Sequence, residues 1–183
     1  MKKQILVFSS IVLLGLAACK KDEVVIETPP VVNEEELITT FKVTFIDTAG
    51  IQGNYTATFR DIDGPGGIAP TTFDTIKLKA NTVYSATIEF LNESVSPVDT
   101  ITYEILEEAV DHLICFNPSN INATILRTDS DGTYQIGLQS LWTLAGISSG
   151  NVVISLKHQP GIKNGTCDLG DTDIELNFVV KIE

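Results

Sequence analysis

The chain has 183 residues, of which 43% are hydrophobic and 20% charged, and 24 acidic side chains face 12 basic ones for a formal charge of −12. It is long enough to bury a core. It lacks the basic stripe that binding to a phosphate backbone or to anionic head groups requires, so nucleic acid is excluded as an expected partner.

The first predicted element is a processing segment. Lys2 and Lys3 precede an apolar run from Ile5 to Leu16, which ends in Leu16-Ala17-Ala18-Cys19. A membrane span needs about 20 predominantly apolar residues, and this run is shorter and contains Ser9 and Ser10. A basic start, a short apolar stretch and small residues before a cysteine resemble a bacterial lipoprotein signal with its lipobox. Residues 1–19 are therefore read as a signal peptide, with Cys19 the lipidated first residue of the mature chain. Cleavage before Cys19 removes Lys2 and Lys3, which moves the formal charge from −12 by two units to −14. No later apolar run reaches spanning length, so the acyl chains are the expected anchor.

Lys20-Lys21-Asp22-Glu23 resembles the export signal of Bacteroidota surface lipoproteins, a lysine and two acids after the lipidated cysteine. It implies an outer-membrane location facing the cell exterior; an ordinary charged tether is the competing reading. Residues 20–35, with Pro29-Pro30 and Glu27, Glu34 and Glu35, read as a tether, because proline and charge favour an extended chain over a packed one.

Residues 36–183 match the common size of one domain, and their periodicity is that of strands. Apolar and polar residues alternate over Phe41–Phe45, Tyr55–Phe59 and Thr82–Phe90, and strands are further expected at His112–Phe116, Asn122–Arg127, Thr133–Leu138, Asn151–His158 and Asp173–Ile182. Alternation of this length marks strands with one buried face. Turn formers separate them, among them Asp63-Gly64-Pro65-Gly66-Gly67 and Asn117-Pro118-Ser119-Asn120. Only Tyr103–Asp111 favours a helix, and a short one. The expected fold is all-β, an antiparallel β-sandwich that is Ig-like in the broad sense, with a barrel as the alternative.

Several blocks carry a wider resemblance: Phe59-Arg60-Asp61-Ile62-Asp63-Gly64-Pro65-Gly66-Gly67, Leu78-Lys79-Ala80-Asn81-Thr82-Val83-Tyr84, Leu91-Asn92-Glu93-Ser94, Leu156-Lys157-His158-Gln159-Pro160 and Asp171-Thr172-Asp173-Ile174-Glu175-Leu176. Together they resemble an uncharacterised family of Bacteroidota surface lipoproteins labelled "type 1 periplasmic binding fold" proteins. The label implies full-length helices alternating with strands, which this strand pattern contradicts. The resemblance implies a location and brings no catalytic residue.

Candidate chemistry is sparse. Asp61-Ile62-Asp63-Gly64 and Asp129-Ser130-Asp131-Gly132 space two carboxylates before a glycine, as calcium loops do, although neither completes an EF-hand and both suit plain turns. His112 and His158 are the two histidines. With a nearby carboxylate they are candidate ligands for a transition metal. Cys115, three residues after His112, competes for that role with a disulfide to Cys167, favoured in an oxidising compartment; two free thiols are the remaining reading. Gly146-Ile147-Ser148-Ser149-Gly150 fits the nucleophile-elbow pattern, but a strand follows it where a helix is needed, so a Ser/Gly hairpin loop is expected. Thr48, Thr75 and Thr100 sit in Asp-Thr-small-or-apolar tripeptides that resemble Bacteroidota O-glycosylation sites.

The expected function is a non-catalytic binding module, held to the membrane by its N-terminal lipid and accessory to an outer-membrane transporter. The alternative is a structural or adhesive envelope module that recognises protein or glycan through its loops. Calcium or a transition metal is the cofactor such residues would take.

Overall fold

The computed structural model describes residues 36–64 and 66–183. The signal segment, Cys19, Lys20–Glu23 and the tether all lie outside the described residues. The strands are β1 (Thr40–Asp47), β2 (Asn54–Arg60), β3 (Thr72–Phe73), β4 (Ile76–Leu78), β5 (Val83–Leu91), β6 (His112–Ser119), β7 (Ala123–Arg127), β8 (Gln139–Leu144), β9 (Ser148–His158) and β10 (Asp171–Ile182). One helix, α1 (Ile101–Glu107), lies between β5 and β6.

The strands form an all-β sandwich of two sheets, ordered β3-β2-β1-β5-β8-β7 and β4-β10-β9-β6. Alternation decides which residues meet between the sheets. Phe41, Val43 and Phe45 of β1 are fully buried, as are Phe178 and Val180 of β10. The Phe41 ring lies 5.4 Å from Phe90 in its own sheet and 5.4 Å from Phe178 in the other. Phe45 meets Trp142 edge to face at 5.0 Å, an arrangement that aligns ring edges with ring faces.

The expected antiparallel sandwich is present, with one parallel pair, β4 with β10. Only Asp74 and Thr75 separate β3 from β4, and the chain crosses between sheets there without a hairpin. The helix starts at Ile101 rather than Tyr103, because Ile101 and Ile105, one turn apart, are the side chains it buries. It ends at Glu107, where the Glu108 N–H closes on Glu104 O.

Thr133–Leu138 is not a strand. The Asp131 carboxylate accepts the N–H groups of Thr133 and Tyr134, and Gly137 sits at φ +100°, so the segment turns before β8 begins. The strand follows at Gln139, with Ser140, Trp142 and Leu144 buried. Nor is Gly146–Gly150 a hairpin loop. Ser148 already opens β9, and residues 145–147 carry the chain from one sheet to the other. Gly150 is required by close approach, since a Cβ there would lie 2.2 Å from the Ser119 carbonyl oxygen.

One end of the sandwich is built from connections that hold one another. His112, Ile114 and Phe116 share the inner face of β6, which turns Leu113 and Cys115 outward. Cys115 is bonded to Cys167, with Cα atoms 6.0 Å apart, and this ties the 159–170 connection to β6. Gln159, fully buried, donates from Nε2 to the carbonyls of Thr166 and Leu169. Lys163 Nζ donates to Asp131 Oδ2 and to Ala109 O, each at 2.7 Å.

Candidate functional site

His112 opens β6 and His158 closes β9, and the two are directly opposed in the antiparallel pair. Both fall on the inner-facing parity of their strands, at the end of the sandwich that α1 approaches. Their rings stack 4.7 Å apart with an interplanar angle of 6°. Glu108 caps α1 four residues before His112, and the turn between them is closed by the Asp111 N–H to Glu108 O bond. One ligand atom from each of Glu108, His112 and His158 lies within 4.8 Å of the others.

The two histidines differ in environment. His158 is half-buried, whereas His112 is 1% exposed. His112 Nδ1 lies 3.1 Å from the Glu108 carbonyl oxygen. A carbonyl only accepts, so Nδ1 carries the proton and Nε2 the lone pair. That Nε2 is buried and has no hydrogen-bond partner among the described residues. Burial, and secondarily the neighbouring His158, push the His112 pKa down despite its bond to Glu108 O, so the ring stays neutral at pH 7.

A cleft of about 530 Å³ opens nearby. It exists because β3 and β4 are only two and three residues long. β4 joins β10 at Val180–Ile182 alone, so residues 172–177 of β10 pair with β9 on one edge and border the cleft on the other. Leu37, Ile38, Phe59, Phe73, Ile174 and Leu176 give it an apolar wall, and Glu36, Asp61, Asp173 and Glu175 supply carboxylates.

Two of them, Glu36 and Asp61, are electrostatically loaded. Burial, then the charge and hydrogen bond of Glu104, then the charges of Asp173 and Glu108 push Glu36 up to about 7. Burial, and then Asp63, push the Asp61 pKa up. Asp61 is 8% exposed, and its Oδ1 has no hydrogen-bond partner among the described residues. Asp63 turns back on its own loop and accepts the Ile68 N–H, which holds its pKa down.

The two metal candidates read from the sequence stay apart in the structure. His112 and His158 come together with Glu108, a ligand that the sequence left unspecified, while Asp61 lines the cleft and Asp63 is turned onto its own loop, neither joining that cluster. Cys115 is committed to Cys167. Asp131 is committed to Lys163 and two backbone N–H groups, so its loop is a turn held by its own carboxylate. Thr48 is exposed but donates to the Val83 carbonyl; Thr75 is half-buried beside β4; Thr100 is half-buried at the N-cap of α1.

The sequence reading found the two histidines and missed Glu108, for which its four-residue spacing from His112 was the available signal. Glu36 gave none, because its neighbours Glu104 and Asp173 come from distant parts of the chain. No protein-family model, curated protein or solved structure matches this chain.

Proposed function

We propose that the protein is a lipid-anchored, surface-exposed outer-membrane module that binds a small ligand without transforming it, beside an outer-membrane transporter. The observation that carries this reading is the cleft between β10, β2 and β3. Its volume of about 530 Å³ lies within the range of small-molecule sites, roughly 300–1,000 Å³. An apolar wall with a few convergent polar groups is the usual composition of such sites. Carboxylates at Glu36, Asp61 and Glu175 favour a ligand with an apolar body and a cationic, hydrogen-donating head. Asp61 Oδ1 offers a buried acceptor for it. The lipobox at Cys19 and the Lys20–Glu23 segment support the anchored, outward-facing location.

Calorimetric titration of the full mature chain with dodecylamine, dodecanol and dodecanoate tests the cleft. The amine should bind tightest, and Asp61→Asn should weaken it while leaving the alcohol unchanged. Equal binding of all three by wild-type protein, or binding of none, refutes the reading.

A second reading, an adhesive envelope module, is favoured by Ile51 and Ile147, each 77% exposed. Both follow strands, β1 and β8, that run in the same direction through their shared partner β5. They therefore lie at one end of the sandwich, where loops recognising protein or glycan would sit. Loss of envelope pull-down partners on Ile51→Ser/Ile147→Ser substitution, with amine binding intact, would favour it.

A further inference from the structure

We propose that Glu108, His112 and His158 form a binding site for a transition-metal dication of the zinc or copper class. The site is distinct from the cleft, and the inference stands independently of the small-ligand reading.

The first support is tautomer and burial together. Buried polar atoms are almost always hydrogen-bonded, and a histidine kept in a core for packing would have both nitrogens satisfied. His112 instead has Nδ1–H fixed on the Glu108 carbonyl and a buried Nε2 lone pair without a partner among the described residues. A ring whose far nitrogen donates to a carbonyl while the other is free is the arrangement of metal-ligating histidines, because the outer bond fixes the tautomer and the ring orientation.

The second is convergence. A second imidazole is stacked 4.7 Å away, and one donor atom from each of the three residues falls within 4.8 Å of the others. A tetrahedral ion with bonds of about 2.0–2.1 Å needs its ligand atoms roughly 3.3 Å apart. The remaining closure of at most about 1.5 Å falls to Glu108, which is exposed, and to His158, which is half-buried; His158 must also turn out of its parallel stack on His112, because each ring's lone pair lies in its own plane. His112 stays in place as the fixed ligand.

The third is charge. Glu104, Glu108 and Asp173 each lie close enough to Glu36 for their charges to act on it, so Glu108 belongs to an acidic cluster. A dication beside them relieves that mutual repulsion. The donor set selects the ion: two imidazoles and one carboxylate suit zinc, copper, nickel or cobalt, whereas calcium and magnesium want oxygen ligands throughout. Three protein ligands leave a fourth position open to water or to a donor group of a bound molecule.

The test is titration of the untagged, metal-stripped mature chain with zinc chloride, copper chloride and calcium chloride, followed by calorimetry. Zinc and copper should bind one equivalent each and calcium none. His158→Gln and Glu108→Gln alter residues that carry little of the core, and each should weaken zinc by at least about 10-fold with an unchanged circular-dichroism spectrum. Nitrogen-15 spectra of the imidazoles should show His112 protonated at Nδ1 and its Nε2 shifted on adding zinc. No zinc or copper heat, or zinc binding at full strength in both variants, overturns the proposal.

Discussion

Replacing Lys163 by methionine isolates the contact that holds three separate connections together. The ammonium donates to Asp131 Oδ2 and to Ala109 O at 2.7 Å each, and both charged side chains are only 3% exposed. Methionine keeps most of the stem's packing and removes the charge. Asp131 would then hold an uncompensated carboxylate, still served at Oδ1 by the Thr133 and Tyr134 N–H groups. Removing one partner of a buried pair costs about 3–5 kcal/mol. With two backbone donors left on Asp131, the low end applies, about 3 kcal/mol, or a fall in Tm of roughly 6–12 °C for a domain of this size.

The pH dependence follows with a definite sign. The Lys163 hydrogen bond, together with the Tyr134 and Thr133 N–H groups, holds the Asp131 carboxyl down at about 2, from an ordinary value of 3.8. A depressed folded-state pKa contributes stability above the unfolded value and loses it as pH falls through the folded one. The gap between wild type and Lys163→Met should therefore be constant above about pH 4 and narrow between pH 4 and 2. Urea denaturation at pH 7, 4 and 2.5 measures it, and the Asp131→Asn/Lys163→Met pair should lose less than the sum of the single changes. A loss below about 1 kcal/mol, the value of an exposed pair, with no pH dependence, would refute the reasoning.

Cys115→Ser/Cys167→Ser opens a bridge between residues 52 apart, and the loop-closure relation puts the loss at about 4 kcal/mol, checked by comparing urea midpoints of the two proteins. Phe178→Ala removes a fully buried ring that touches Phe41 and Phe73; a loss of about 3–5 kcal/mol is expected in the same assay. Glu36 is an acid whose folded pKa, about 7, stands above its ordinary 4.5, so its ionisation opposes folding as pH rises through that window. Glu36→Gln should accordingly raise Tm relative to wild type at pH 8 and leave it nearly unchanged at pH 4, measured by differential scanning calorimetry.

How much of this was legible in the sequence depends on the range of the interaction responsible. Phe41-Lys42-Val43-Thr44-Phe45 alternates because one face of β1 is buried, and alternation is local, so the strand was visible. Thr133–Leu138 alternates as well, yet the turn there is decided by a carboxylate whose position is fixed by Lys163, 32 residues away. The residues that failed as a strand thus failed for a tertiary reason. The metal candidates divide in the same way. His112 and His158 could be noticed as the two histidines, but only the antiparallel register of β6 and β9 sets them ring against ring.

The sequence by itself determined that the domain is all-β with one short helix, because side-chain alternation and turn chemistry are written residue by residue, and it left the choice between sandwich and barrel to the tertiary structure. It also supplied the lipobox-like stretch ending at Cys19 on which the proposed anchor rests. Only the tertiary structure decided which strands share a sheet, where β3 and β4 stop short to leave a cleft, and that Glu36 stands among Glu104, Glu108 and Asp173. Those outcomes depend on which distant segments pack together, and burial and charge act through space without regard to chain order.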